Sequence, residues 1–174
     1  MKTQTVNTYS FNELSETAKE KVLRKYADMG TSDYWYEDSF YQAKELGIRI
    51  TGFDLDRGQS IEAEFLWDEI EVADRILDFY PSDSDIYKIS ENFRKERDEL
   101  CDTWQNDENG EPVNVHELDE KLDELEYQYK KDIFWELWKF LRDEYDYLFK
   151  DEYLAEFFEC NDYQFTEDGT LYNF

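Results

Sequence analysis

Basic residues are scarce in this sequence: 19 Lys and Arg stand against 45 Asp and Glu, a formal net charge of −26 in 174 residues. Binding a phosphate backbone directly requires Lys and Arg to displace counterions, so DNA, RNA and anionic membranes are disfavoured as direct partners. Cysteine is also rare, and Cys101 and Cys160 cannot build a disulfide framework. The lone histidine, His116, sits on a segment distant from either cysteine, without the short ligand spacing that marks a zinc site. No apolar stretch of signal or membrane-spanning length occurs, and Met1-Lys2-Thr3-Gln4 leads into none. Phosphate-cradling glycine loops, nucleophile elbows and zinc-protease helix signatures are missing as well. The expectation is a soluble cytoplasmic protein with free thiols, no metal and no cofactor.

What is present is bulk. Hydrophobic residues make up 40 % and aromatics 18 % of the chain, which separates it from a disordered acidic tail. A chain of this size buries about two thirds of its unfolded surface, enough for a core without staples. The acidic surface then attracts proteins with basic grooves, usually those that themselves hold nucleic acid. Surface scaling gives about 9,000 Å², hence about one net charge per 350 Å². A B-DNA duplex carries about one per 100 Å². Imitating a duplex therefore requires carboxylates to concentrate on one side, and solubility alone is the competing explanation.

Periodicity predicts a mainly helical α+β fold. Ser10-Phe11-Asn12-Glu13 has capping-box spacing ahead of Leu14, Ala18, Val22, Tyr26 and Met29, a helix ending near Gly30. A second helix is expected from Asp33 to Leu46, stopped by Gly47. Ile48, Ile50, Phe53 and Leu55 alternate with a slip at Thr51-Gly52, and Ile61, Ala63 and Phe65 alternate with Glu62 and Glu64. This predicts a hairpin near 48–66 with a bulge, an Asp56-Arg57-Gly58-Gln59 turn and one wet acidic face. Helices follow from Asp68 to Phe79 and from Ser82 or Ser84 through Trp104, then an exposed loop over 106–112. Asn114 caps a long helix over about 115–150, a sixth covers Asp151 to Glu159, and a terminal hairpin is expected over 163–173. The sum is a single domain, residues 1–174, with a small antiparallel sheet.

Carboxylate pairs are too common here to identify a general acid and base, and a carboxylate-dependent hydrolase would need a deep pocket with raised pKa values. Asp54-Leu55-Asp56-Arg57-Gly58 resembles the start of a calcium loop, but its glycine falls one position early and Phe65 stands where a bidentate Glu belongs, so a turn is the better reading. The acids are nevertheless organised. Glu117, Asp119, Glu120, Asp123, Glu124 and Glu126 crowd the start of the long helix, and Asp143, Glu144 and Asp146 cluster near its end. At 100° per residue Asp119, Glu120, Asp123 and Glu126 share a flank away from the Leu118, Leu122 and Leu125 seam. These nine acids are the candidate partner-binding residues. An ordinary solvated face, with Glu126 supporting Lys130, is the alternative. Tyr34, Trp35 and Tyr36 cannot all face inward, and Trp135 and Trp138 flank a filled stripe, so aromatic anchors can accompany the acids.

Two stretches resemble a family of small acidic proteins encoded by phages and prophages, some labelled antitoxins. They are Tyr9-Ser10-Phe11-Asn12-Glu13-Leu14-Ser15-Glu16-Thr17-Ala18-Lys19-Glu20-Lys21 and the C-terminal run from Glu144-Tyr145-Asp146-Tyr147-Leu148 to Asp168-Gly169-Thr170-Leu171-Tyr172. With the Gly52-Phe53 hairpin the resemblance covers about a third of the chain. Family members carry Gln-Gly-Asp after that Gly-Phe pair, and Asp54 to Gly58 departs from it. The resemblance transfers no catalytic residues. It implies a non-enzymatic inhibitor in the host cytoplasm, acting on a host defence complex of anti-CRISPR or anti-restriction type as an acidic nucleic-acid mimic. The partner implied is a host protein with a basic nucleic-acid-binding groove. The alternative is an antitoxin that neutralises a basic toxin by direct contact.

Overall fold

The structure is a computed structural model and describes residues 6–105, 108 and 113–172. It is α+β and mainly helical. Helix α1 (Glu16–Lys25) and a 3₁₀ turn (Ala27–Gly30) precede α2 (Glu37–Glu45), strands β1 (Ile48–Asp54) and β2 (Ser60–Phe65), α3 (Glu69–Phe79), α4 (Asp85–Thr103), α5 (Val115–Leu148) and α6 (Asp151–Cys160). The chain divides into two compact units, one of residues 1–35 with 143–174 and the other of residues 36–142.

In the first unit only half of the Ser10 capping box forms, and it closes a turn rather than a helix. The Ser10 amide donates to Glu13 Oε2 at 2.8 Å and the Glu13 amide returns to the Ser10 carbonyl. The helix itself starts later, where Ser15 Oγ accepts from the Ala18 amide. Serine suits an N-cap at either position, and the apolar residues decide: Phe11 and Leu14 enter the core from the turn rather than from a helical face. They join Ala18, Val22, Leu154, Phe158 and Phe165 in one buried cluster. The expected terminal hairpin reduces to single bridges, Tyr9 with Phe165 and Phe165 with Leu171, and Asn173 lies outside the described residues. Gly169 turns this segment with φ of 78°, and a Cβ there would lie 2.9 Å from the Ala18 carbonyl.

The second unit holds the sheet. β1 and β2 pair antiparallel from Ile48 opposite Phe65 to Asp54 opposite Ser60, with the register shift between Ile50 and Gly52 that the parity slip predicts. Glu62 and Glu64 face water while Ile48 and Ile50 are buried. The turn is tied by one side chain: Asp54 accepts from the amides of Asp56, Arg57 and Gly58. Those bonds, led by the Asp56 amide, hold its carboxyl below the usual carboxylate range, and they use the oxygens that a calcium loop would present.

α3 and α4 start close to where the periodicity places them, with side-chain caps at Asp68 and, of the two serines, Ser84. α2 begins four residues later than the periodicity suggests, after a turn over 33–36 in which Tyr34 is exposed. Gly47, with φ of 81°, ends that segment, and a Cβ there would collide with the Trp67 indole. Val72, Ala73, Ile76, Ile86, Phe93, Tyr129, Ile133, Leu137 and Leu141 are buried in this unit. Aromatic rings join the elements: Phe93 stacks on Tyr129 at 4.1 Å, and Phe65 meets Tyr129 and Phe134 edge-on. Ser90 is buried, its hydroxyl 3.0 Å from both the Ile86 carbonyl and the Tyr129 hydroxyl. The loop expected over 106–112 falls, apart from residue 108, outside the described residues.

Candidate functional site

α5 is one continuous helix of 34 residues, about 51 Å at 1.5 Å per residue. Asn114 sits before it in the left-handed region, φ 58°, which asparagine tolerates, and its carbonyl accepts from the amides of Glu117 and Leu118. From Val115 to Gln128 no side chain is buried, and Leu118, Leu122 and Leu125 are half-buried. Among the described residues the acidic side chains on the other side are exposed from Glu117 to Glu124.

Glu117, Asp119, Glu120, Asp123 and Glu124 are exposed, and Glu126 is half-buried at the edge of the run. Two of them hold partners on the same helix, Glu117 with Lys121 at 3.2 Å and Glu120 with His116 at 3.5 Å. Asp119, Asp123 and Glu124 make no ion pair among the described residues. From Glu117 to Glu126 six acids and one lysine give a net charge of −5 over about 15 Å of axis. That is about one charge per 3 Å, close to the 3.4 Å of a single DNA strand. All six project within about half of the helix circumference. The local density thus far exceeds the average surface value.

Glu126 behaves differently. Burial, then the charge of Glu69, push its carboxyl up, against the pull of Arg97 and Lys130. Lys130 does not support Glu126 by forming the expected intrahelical pair; it pairs with Glu69 at the start of α3. The second expected cluster belongs to the other compact unit, with Asp143 and Asp146 exposed and Glu144 half-buried. The nine candidate acids are therefore six on one unit and three on the other, each group described by itself.

His116 is a surface residue, its side chain 89 % exposed, and both cysteines are exposed. Among the described residues no group of three or more His, Cys, Asp or Glu side chains is placed to hold a metal ion, and no helix is long and apolar enough to cross a membrane. The sequence pattern does not single out a shallow groove of about 590 Å³ beside β2, lined by Tyr127, Lys131 and Trp135 among others. Its signal is the residue spacing: these three recur every four residues on the side of α5 opposite the leucine seam.

The class defined at this point is a mainly helical α+β protein with an acidic helix face. No family model matches the chain, and no curated protein or solved structure shows significant similarity to it.

Proposed function

We propose that this protein is a non-enzymatic, phage-encoded inhibitor that occupies the basic nucleic-acid groove of a host defence complex of anti-CRISPR or anti-restriction type. The carboxylates of Glu117, Asp119, Glu120, Asp123, Glu124 and Glu126 stand in for phosphates. One observation carries the reading: these six acids give the first turns of α5 a net linear charge near that of one nucleic-acid strand, on a stretch where no side chain from Val115 to Gln128 is buried. Steering between opposite charges then gives fast, salt-sensitive association.

The test is capture of host proteins on immobilised protein at low and moderate salt, with DNA or RNA as competitor. Retention of a nucleic-acid-binding complex that nucleic acid displaces, and that added salt weakens, supports the proposal. Tight retention that neither DNA nor RNA displaces overturns it and favours direct neutralisation of a basic toxin.

A further inference from the structure

The groove beside β2 carries a different chemistry from the acidic face. It measures about 590 Å³, within the range of small-molecule sites. Trp135, 44 % exposed, lines it. Its indole is stacked on that of Trp138, 4.7 Å between centroids and 6° between planes. Trp138 is itself buried, and its Nε1 donates to the Asp54 carbonyl at 2.9 Å, in the turn that the Asp54 carboxylate locks. One face of the Trp135 platform thus rests on a buried ring that a hydrogen bond holds to the turn.

Two lysines line the same groove in a chain with net charge −26. Lys130 is held by Glu69. Lys131 is exposed and makes no ion pair among the described residues. Asp132 also lines the groove, 100° further around the helix, and its carboxylate accepts from Gln128 Nε2 at 2.8 Å. Lys131 falls midway between Tyr127 and Trp135, about 6 Å along the axis from each. A cation at that distance from a stacking platform is complementary to a planar ring bearing an anionic arm. Of the charged side chains that line the groove, Lys130 is held by Glu69 and Asp132 by Gln128, which leaves Lys131 as the cation without an ion pair among the described residues.

We propose that this groove binds a small aromatic anion, one or two fused rings with a carboxylate or phosphate, the ring on Trp135 and the anion at Lys131. This is independent of the acidic-face reading.

The test uses the full chain and two probes with the same ring and opposite charge, indole-3-acetate and tryptamine, followed by NMR. Indole-3-acetate is expected to shift the Tyr127, Lys131 and Trp135 signals with a Kd of about 1 mM, the scale for so few atoms. Tryptamine should bind at least about fivefold more weakly. Lys131→Glu, a surface change that leaves the fold intact, is expected to reverse that preference. Equal binding of the two probes, an unchanged preference in Lys131→Glu, or no shifts at about ten times that Kd overturns the proposal. So does self-association that shifts Tyr127 and Trp135 without ligand as protein concentration rises.

Discussion

The two halves of α5 up to Arg142 are built for opposite purposes. Residues 115–128 bury no side chain, whereas Tyr129, Ile133, Glu136, Leu137, Trp138 and Leu141 are all buried. Repulsion in the first half is tolerable because its carboxylates are hydrated: two charges 6 Å apart in water cost about 0.7 kcal/mol before salt screening. An isolated fourteen-residue helix would be marginal, so the packed half nucleates and holds the charged half. A helix can therefore carry a charge run along one stretch when its continuation is fixed by packing.

The largest effect that would break this comparison is on stability. Ile133 is fully buried, so Ile133→Ala is expected to cost about 2–5 kcal/mol in urea unfolding. Leu122, half-buried, should cost about 1 kcal/mol on the same change. Equal costs would show that the first half contributes to the core as the second does.

Binding gives the next effect. Neutralising Asp119, Asp123 and Glu124 together, to Asn, Asn and Gln, should weaken capture of the target about tenfold or more while the unfolding midpoint stays level or rises slightly. Asp78→Asn, an exposed acid on α3 outside the nine candidates, is the control and should leave capture unchanged. Equal losses from both would show that recognition does not single out the charged run of α5, the surface on which the proposed function rests.

The sequence made the bulge, the approximate starts of α3 and α4 and the length of α5 legible, because each rests on a local rule of period or turn chemistry. Its errors have tertiary causes. Ser10 has the capping-box spacing, yet Phe11 and Leu14 are buried from a turn and the side-chain cap forms at Ser15. Lys130 lies in range of Glu126 on the helix, yet the approach of α3 offers it Glu69. The acidic run was visible as composition on one flank, but its exposure depends on what packs against the leucine seam. The groove beside β2 needs that strand as a second wall, which a helical pattern alone does not supply.

A smaller test separates two tyrosines two residues apart. Tyr129→Phe leaves the buried Ser90 hydroxyl donating to the Ile86 carbonyl but removes its second partner, at about 1 kcal/mol by urea unfolding. Tyr127, 69 % exposed, should change by less than about 0.5 kcal/mol on the same substitution. A Tyr127→Phe cost as large as that of Tyr129→Phe would mean that the charged half is more tightly packed than its exposure implies.

The smallest effect is pH-dependent and sits where the two halves meet. Burial and Glu69 raise the Glu126 carboxyl above its unfolded value, so between the two values the folded state binds more protons. Stability from this group is present below the unfolded value and is lost as pH rises through the folded one. Glu126→Gln removes that loss: its melting temperature should exceed the parent's at neutral pH, and the gap should close on acidification through the carboxylate range. Asp168 supplies the opposite sign. Its hydrogen bond from Thr166, then that from Lys21, hold its carboxyl well below the usual range, so its stabilisation is present above the unfolded value and lost as pH falls through the folded one. Asp168→Asn should therefore lower the melting temperature at neutral pH and converge with the parent in acid. Parallel curves for Glu126→Gln and parent at every pH would remove Glu126 from the boundary and leave the charged half uncoupled from α3.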